Sequence, residues 1–316
     1  MLGIVIPAYE RENCLREALD SLVNQTKKMF IVIVVDDHSP KPLEKIVDEY
    51  RNKLHIIYKY ANENGGPGAA RQIGLNVCYE KEIDLVMFLD SDDKLYPHAV
   101  ERLTTEINRN RADVVSSKIW AEDNRNLGSY LDEHNRTWLH GKIYRTDFLK
   151  KNNIIFPPVR FNEDVAFNIM SMGLAEKKMA ISEALYLFRN EKNSLCRNKK
   201  TQTKDMSFDF IKAVYFAADF LEKNKNNYDS LLPAISTCYK EYQTVLSSGE
   251  EVPCEIKQKL KYLLSLNSVK KEFSNRGKMV SFTLKLGHCT VVDNKMVWYP
   301  QTFKQWLDEI YESSDN

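Results

Sequence analysis

Over the first 120 residues, short runs rich in Ile and Val alternate with stretches of helical periodicity, and this alternation limits the fold more than any other feature. Leu2–Pro7, Phe30–Asp36, Leu54–Lys59, Leu85–Asp90 and Val114–Trp120 read as strands, each bounded by polar turns. Cys14–Val23, Pro42–Tyr50, Gly68–Val77 and His98–Asn108 read as helices. Asn13 is a candidate cap for the first, and prolines lie near the start of two others. Strands that alternate with helices of this length build βαβ units, so the expected class is α/β with a doubly wound, mostly parallel sheet. Such sheets bind ligands beyond the carboxyl ends of their strands. The polar residues just after those ends are therefore the candidate site.

Beyond about Asp123 the pattern loosens. Leu139–Tyr144 reads as a short strand, Arg145–Asn152 as a helix, Asp164–Met172 as a helix and Ala184–Phe188 as a strand, with an extended break at Pro157-Pro158. Arg189 to Lys204 is polar and basic without periodicity and reads as a loop. Three helical stretches follow, at Asp205–Lys223, Leu231–Leu246 and Glu255–Leu266. Alternation in Met279–Leu286 and Cys289–Tyr299 predicts a β-hairpin turning at Gly287-His288. The expected division is a catalytic domain over 1–204, with halves at 1–120 and 121–204. A smaller, mainly helical region over 205–316 would end in the hairpin.

Net charge is +1 and no long basic run occurs, which argues against electrostatic gripping of nucleic acid as the main role. The six cysteines are scattered without a CxxC pair, so neither a structural zinc site nor a disulfide framework is signalled. The opening apolar run is short for a signal peptide, and nothing approaches the roughly 20 apolar residues of a membrane span. A cytoplasmic location is the expectation.

Leu85-Val86-Met87-Phe88-Leu89-Asp90-Ser91-Asp92-Asp93 carries the strongest chemical signal. An apolar strand delivers three carboxylates in four residues, and like charges this close raise one another's pKa unless a cation neutralises them. Mn²⁺ or Mg²⁺ held by Asp90, Asp92 and Asp93 together with a diphosphate would supply that charge. The alternative is an acidic helix N-cap, which needs one carboxylate rather than three. Val32-Ile33-Val34-Val35-Asp36-Asp37-His38-Ser39 again places acid at a strand end, to accept from a base N–H or ribose hydroxyl, or simply to satisfy a turn. In Asn64-Gly65-Gly66-Pro67-Gly68-Ala69-Ala70-Arg71, glycines admit close approach of a ligand and Arg71 offers a fork for phosphate or a base carbonyl. It is neither a Walker loop nor GxGxxG.

In order and spacing these motifs resemble the inverting, GT-A-fold glycosyltransferases of family 2. Ile4-Val5-Ile6-Pro7-Ala8-Tyr9 resembles the opening strand that usually ends P-x-Y/F-N, with Glu10 in place of the usual Asn. Asp36-Asp37-His38-Ser39 resembles V-D-D-x-S, Asn64 to Arg71 resembles N-x-G-x-x-x-A-R, and Asp90-Ser91-Asp92-Asp93 resembles the D-x-D-D metal motif. Asn162-Glu163-Asp164, after the familiar Gly141-Lys142-Ile143-Tyr144-Arg145, resembles the E-D pair that supplies the base. The resemblance covers about residues 2–200.

It implies roles residue by residue. Pro7, Tyr9 and Asp37 hold the nucleotide base, with Tyr9 against a uracil-like ring. Arg71 contacts base or diphosphate, Asp90 reaches the ribose, and Asp92 ligates the metal with Asp93 assisting. Asp164 is the general base and Glu163 orients the site. A metal on the leaving-group side and a carboxylate on the acceptor side are what a single displacement at an anomeric carbon needs. Arg189, Ser194 and Arg197 lie where similar enzymes close over the donor and clamp diphosphate, although a solvated basic loop reads equally well. Among the histidines only His140, beside Trp138, is a candidate site contact. Trp138 and Trp120 are either an acceptor platform or core.

The implied activity is that of a hexosyltransferase-type enzyme using a nucleotide-sugar donor, UDP-sugar favoured. The acceptor classes left open are a glycan, a cell-surface polymer intermediate, a protein or a modified DNA base, and a homo-oligomer is compatible with the C-terminal region. A nucleotidyltransferase would want a glycine-rich triphosphate loop after the first strand, where Pro7-Ala8-Tyr9-Glu10-Arg11 stands instead. A non-catalytic module binding sugar nucleotides is the other reading.

Overall fold

The computed structural model describes residues 1–122, 128–131, 138–189, 191, 203–224, 231–266, 289–292 and 295–298. The chain opens with β1 (Leu2–Ala8), α1 (Glu12–Val23), β2 (Phe30–Asp36), α2 (Glu44–Asp48), β3 (Ile56–Tyr60), α3 (Pro67–Glu80) and β4 (Leu85–Phe88). Next come β5 (Lys94–Leu95), α4 (Ala99–Asn110), β6 (Val114–Glu122), β7 (Gly128–Leu131), β8 (Lys142–Arg145) and α5 (Thr146–Lys151). Then follow α6 (Glu163–Leu174), β9 (Lys178–Phe188), α7 (Thr203–Lys223), α8 (Leu231–Ser247), α9 (Cys254–Ser265), β10 (Cys289–Val292) and β11 (Lys295–Trp298).

One sheet runs β3-β2-β1-β4-β8-β6-β9-β5, with β7 paired to β6. As the βαβ pattern predicts, β3, β2, β1 and β4 are parallel. Beyond β4 the sheet turns mixed, because β8 enters antiparallel to both β4 and β6, while β6 and β9 run parallel. Of the parallel strands, β1, β2 and β4 are buried on both faces, and their alternating side chains feed two separate cores, while β3 at the edge is half-exposed. Val32 and Val34 of β2 and Met87 of β4 join Leu15 and Leu19 of α1 and Leu103 and Ile107 of α4. Ile33 and Val35, with Val86 and Phe88, point the other way, toward Leu75 of α3 and Phe167 of α6. This second core continues without interruption into α7, α8 and α9 through Ile211, Ile235 and Leu260. Gly74 lets α3 lie close on β1, since a Cβ there would clash with Val5 Cγ1.

Several sequence expectations need correction. Asn13 does not cap α1; the helix starts at Glu12, Arg11 stands at the N-cap, and no side chain caps it. The C-terminal strands β10 and β11 pair with each other, Val292 against Lys295, so the Cys289–Tyr299 segment holds two short strands rather than one. The expected partner Met279–Leu286 and the turn at Gly287-His288 lie outside the described residues. Neither β5 nor β7 was expected, and β9 begins at Lys178, six residues before the predicted Ala184. These short or half-polar strands lack the apolar run that marks the parallel set. Among the described residues no helix is long and apolar enough to cross a membrane.

Candidate active site

The parallel register lines up the ends of the central strands. Ala8 lies beside Asp36, and Val5 beside Phe88, so Tyr9, Asp37 and Asp90 leave the sheet at one edge. The two neighbouring acids after β2 divide their work. Asp36 is fully buried and structural: its carboxylate accepts from Ser39 N (2.9 Å), Leu43 N (2.8 Å) and Tyr58 Oη (2.7 Å). Asp37 accepts from the amides of Gly65 (2.9 Å) and Gly66 (2.8 Å), fixing the glycine-rich loop, and it also lines the cleft. Burial pushes its carboxyl up, opposed by those two amides and by the charge of Arg160. Gly66, at φ +84, precedes Pro67 at the start of α3, a left-handed turn that suits glycine. Glu10 stands at φ 53, in the left-handed region that Asn tolerates better than Glu.

Strand pairing assembles the acidic centre. In the β4–β8 ladder Leu85 faces Arg145 and Met87 faces Ile143. Extending that register past both ends sets Asp90 opposite His140, and His140 Nε2 lies 3.1 Å from Asp90 Oδ2. The β5–β9 ladder, with Lys94 facing Leu187, brings β9 to Asp93 in the same way. Tyr186 Oη donates to Asp93 Oδ2 (2.7 Å) and Arg189 N donates to Asp93 Oδ1 (2.8 Å). Asp90, Asp93 and His140 each offer a ligand atom, all within 4.8 Å of one another. Two carboxylate oxygens and an imidazole nitrogen at this spacing suit a divalent cation. Burial raises the Asp93 carboxyl despite the opposing pull of His140. Burial would also raise Asp90, but Arg71 and His140 outweigh it and hold that carboxyl low. The expected ligand Asp92 lies outside this cluster and is paired with Arg11. Neither Asp92 nor Asp93 caps a helix, because β5 follows them and α4 begins at Ala99 with His98 at its N-cap.

On the opposite wall, Asn162 in the left-handed conformation turns the chain into α6, setting Glu163 and Asp164 in its first turn. Arg71 reaches up from α3 between the two halves, with Nη2 on Asp90 Oδ1 (2.6 Å) and Nη1 on Glu163 Oε1. Burial raises the carboxyls of Glu163 and Asp164, and Arg71 opposes the shift in both. Beneath them, burial drives the Lys142 ammonium down to about 7, while it donates to Trp138 O.

A cleft of about 540 Å³ joins these parts. Pro7, Tyr9, Asp37, Arg71, Asp90, Asp92, Glu163, Asp164 and Arg189 all line it, so sequence-predicted donor, metal and base residues share one cavity. Arg189 also pairs with Glu17 (3.1 Å) and Glu191 (2.7 Å). Ser194 and Arg197 lie outside the described residues. Trp138 lines the cleft and packs against His140 and Phe188, centroids 5.5 and 5.2 Å away, whereas Trp120 is not part of the wall. The sequence reading missed Arg11, Arg160 and Tyr186. Arg11 and Arg160 carried only the weak signal of single cations near motifs, and Tyr186 was hidden inside a strand that reads as core.

The family description "Glycosyl transferase family 2" matches residues 3–162, half of the chain. Poly(ribitol-phosphate) beta-N-acetylglucosaminyltransferase TarS of Staphylococcus aureus is 29% identical over 206 residues, which are 60% of this chain and 35% of that protein. Poly(ribitol-phosphate) beta-glucosyltransferase of Bacillus spizizenii is 30% identical over 57% of this chain and 31% of its own length. The matched segment thus spans about a third of these curated relatives. Among solved structures, S. aureus TarS 1–349 in complex with UDP-GlcNAc superposes with a TM-score of 0.67 at 21% identity, covering 93% of this chain and 95% of that one. A mannosyltransferase from Pyrobaculum calidifontis, solved with GDP-Man and Mn²⁺, gives a TM-score of 0.51 at 14% identity, covering 90% and 86%. These likenesses show a shared fold, the GT-A arrangement that the motifs imply. With the family match over residues 3–162 and its motif residues gathered around one cleft, the chain belongs to glycosyl transferase family 2.

Proposed function

We propose that this chain transfers a sugar from a UDP-sugar to an acceptor hydroxyl by a metal-assisted single displacement with inversion. The carrying observation is that Asp90 and His140 of the acidic cluster line the same cleft as Asp164, while Asp93, the third member, is buried beside them. Asp37 would accept from the base N–H, and Tyr9, 38% exposed at the rim, offers a ring face for stacking. Asp90, Asp93 and His140 would hold Mn²⁺ or Mg²⁺, with Asp92 beside them; when bound, the cation neutralises charge on the departing diphosphate. Asp164 would accept the proton of the attacking hydroxyl, and a carboxyl raised by burial is a better base near neutral pH. Trp138, Phe161 and Phe188 along the wall limit water.

The two relatives that act on poly(ribitol-phosphate), a polymer, favour a polymer intermediate such as a cell-surface one over the other acceptor classes. Residues 1–204 would carry both halves of the chemistry, and 205–316 would shape acceptor choice. Transfer or slow hydrolysis of a UDP-sugar should require Mn²⁺ or Mg²⁺ and stop with EDTA. Asp164→Asn should abolish transfer while sparing UDP binding; intact transfer by that variant would remove Asp164 from its role.

A further inference from the structure

We infer that Asp209, on α7, is a positioning residue whose carboxylate holds the turn that presents Glu163 and Asp164 to the cleft. The inference rests on the transferase reading above, which makes Asp164 the base, and goes beyond it by giving the region after residue 204 a part in the chemistry. The chain enters that turn through Pro157-Pro158, which carry no N–H, and Val159, whose amide donates to Pro157 O (2.8 Å). The next two amides turn to α7 instead. Arg160 N and Phe161 N both donate to Asp209 Oδ2, at 3.1 and 3.3 Å. Phe161 is buried and lines the cleft, so its amide would be costly to leave unmet. Two consecutive donors on one charged oxygen fix the direction of the backbone just before α6.

Asn162 follows at φ 62, and this single left-handed residue swings the chain into α6. A residue other than glycine persists in that conformation where its surroundings hold it there. The Asn162 side chain makes no cap hydrogen bond to its own helix; its Nδ2 donates to Met206 O on α7 (3.1 Å). Met206 and Asp209 are three residues apart, so both ties come from one face of α7. That helix is itself anchored by core: Ile211 and Val214 are fully buried, in the cluster that holds Ile235 of α8 and Leu260 of α9. The helices beyond residue 204 thus set where the base stands.

Three variants of the full chain test the assignment: Asp209→Ala, Asp209→Asn and Asn162→Ala. The Asn variant keeps one oxygen for both amides and gives up only the contact of Lys212 Nζ with Asp209 Oδ1 (3.3 Å). Amide exchange over residues 159–164 is read by mass spectrometry and UDP affinity by titration calorimetry with Mn²⁺. Turnover is read as UDP released from UDP-GlcNAc, well below the melting temperature. In Asp209→Ala, exchange should be faster by about tenfold or more and kcat lower by about 10–100-fold, with UDP Kd within about fivefold of the parent chain. Asp209→Asn should bring exchange and kcat back to within about threefold of the parent. A purely stabilising role predicts a lower melting temperature with kcat kept. Unchanged exchange in Asp209→Ala, kcat within about threefold of the parent, or no rescue by Asn overturns the inference. If the parent chain releases no UDP from UDP-GlcNAc, the donor reading fails for that sugar, and exchange alone decides whether Asp209 holds the turn. Should Asp209→Ala not fold, Asn162→Ala, which cuts the second tie, is read in its place with the same expected outcomes.

Discussion

Asp36 and Asp37 are adjacent acids of similar burial, and replacing each by Asn separates anchoring from recognition. Asp37 accepts one amide on each oxygen, from Gly65 and Gly66. In Asp37→Asn one oxygen remains, and the new NH₂ faces a second N–H, so one buried donor loses its acceptor. Losing one charged hydrogen bond and orphaning one amide costs about 2–3 kcal/mol. For a chain of 316 residues that corresponds to a fall in Tm of roughly 3–5 °C. Asp36→Asn behaves alike: the oxygen can serve Leu43 N and Tyr58 Oη while the NH₂ faces Ser39 N. The stability losses should therefore match within about 1 kcal/mol. Binding should not. Only Asp37 lines the cleft, and one lost charged hydrogen bond to the base is worth about 1.5–3 kcal/mol, or roughly 10–150-fold in UDP Kd. Thermal melts and UDP titrations on both variants decide it. Equal weakening of UDP binding in the two variants, or full affinity in Asp37→Asn, would refute the division of labour.

Three further expectations follow from individual residues. Because burial raises Asp93, the apo site holds a proton that a cation must displace; Mn²⁺ affinity by calorimetry should rise between pH 6 and 8, by up to about tenfold per pH unit for each proton released. Burial lowers Lys142 from 10.5 to about 7, so the folded state binds fewer protons than the unfolded state between those values. Stability from this group therefore grows as pH rises above 7, by at most about 1.4 kcal/mol per unit, and Lys142→Met should flatten that rise in urea melts taken at pH 7 and 9. Glu10→Asn should relax the left-handed backbone at φ 53 and raise Tm by about 1 °C at most, from about 0.5 kcal/mol, with unchanged UDP affinity.

The parallel half was legible because a strand covered on both faces must be apolar throughout, and such runs stand out. The span of β2 matches the expected Phe30–Asp36. Strand ends pointed correctly to the cleft, since the topology of a doubly wound sheet fixes where they emerge. What stayed hidden depended on pairing partners distant in sequence. Nothing local distinguishes Asp36 from Asp37; the choice is made by which carboxylate the turn at Ser39 and Leu43 captures. His140 was flagged through its neighbours, yet its position against Asp90 follows from the antiparallel ladder of β8 on β4, which no periodicity announces. Tyr186 looked like core because most of its surface is core, and only its hydroxyl reaches the acids.

Because β9 is inserted between β6 and β5, it clamps the outer edge of the sheet onto the acidic turn. The segment matched by the family description stops at residue 162, before Glu163, Asp164, Tyr186 and Arg189. A fragment cut at that limit would keep the loops after β1, β2 and β3 yet strip Asp93 of both its donors and leave β5 without its neighbour. The recognisable half of this protein is thus not a transplantable cassette: grafting it into another scaffold would require carrying the chain at least through Arg189.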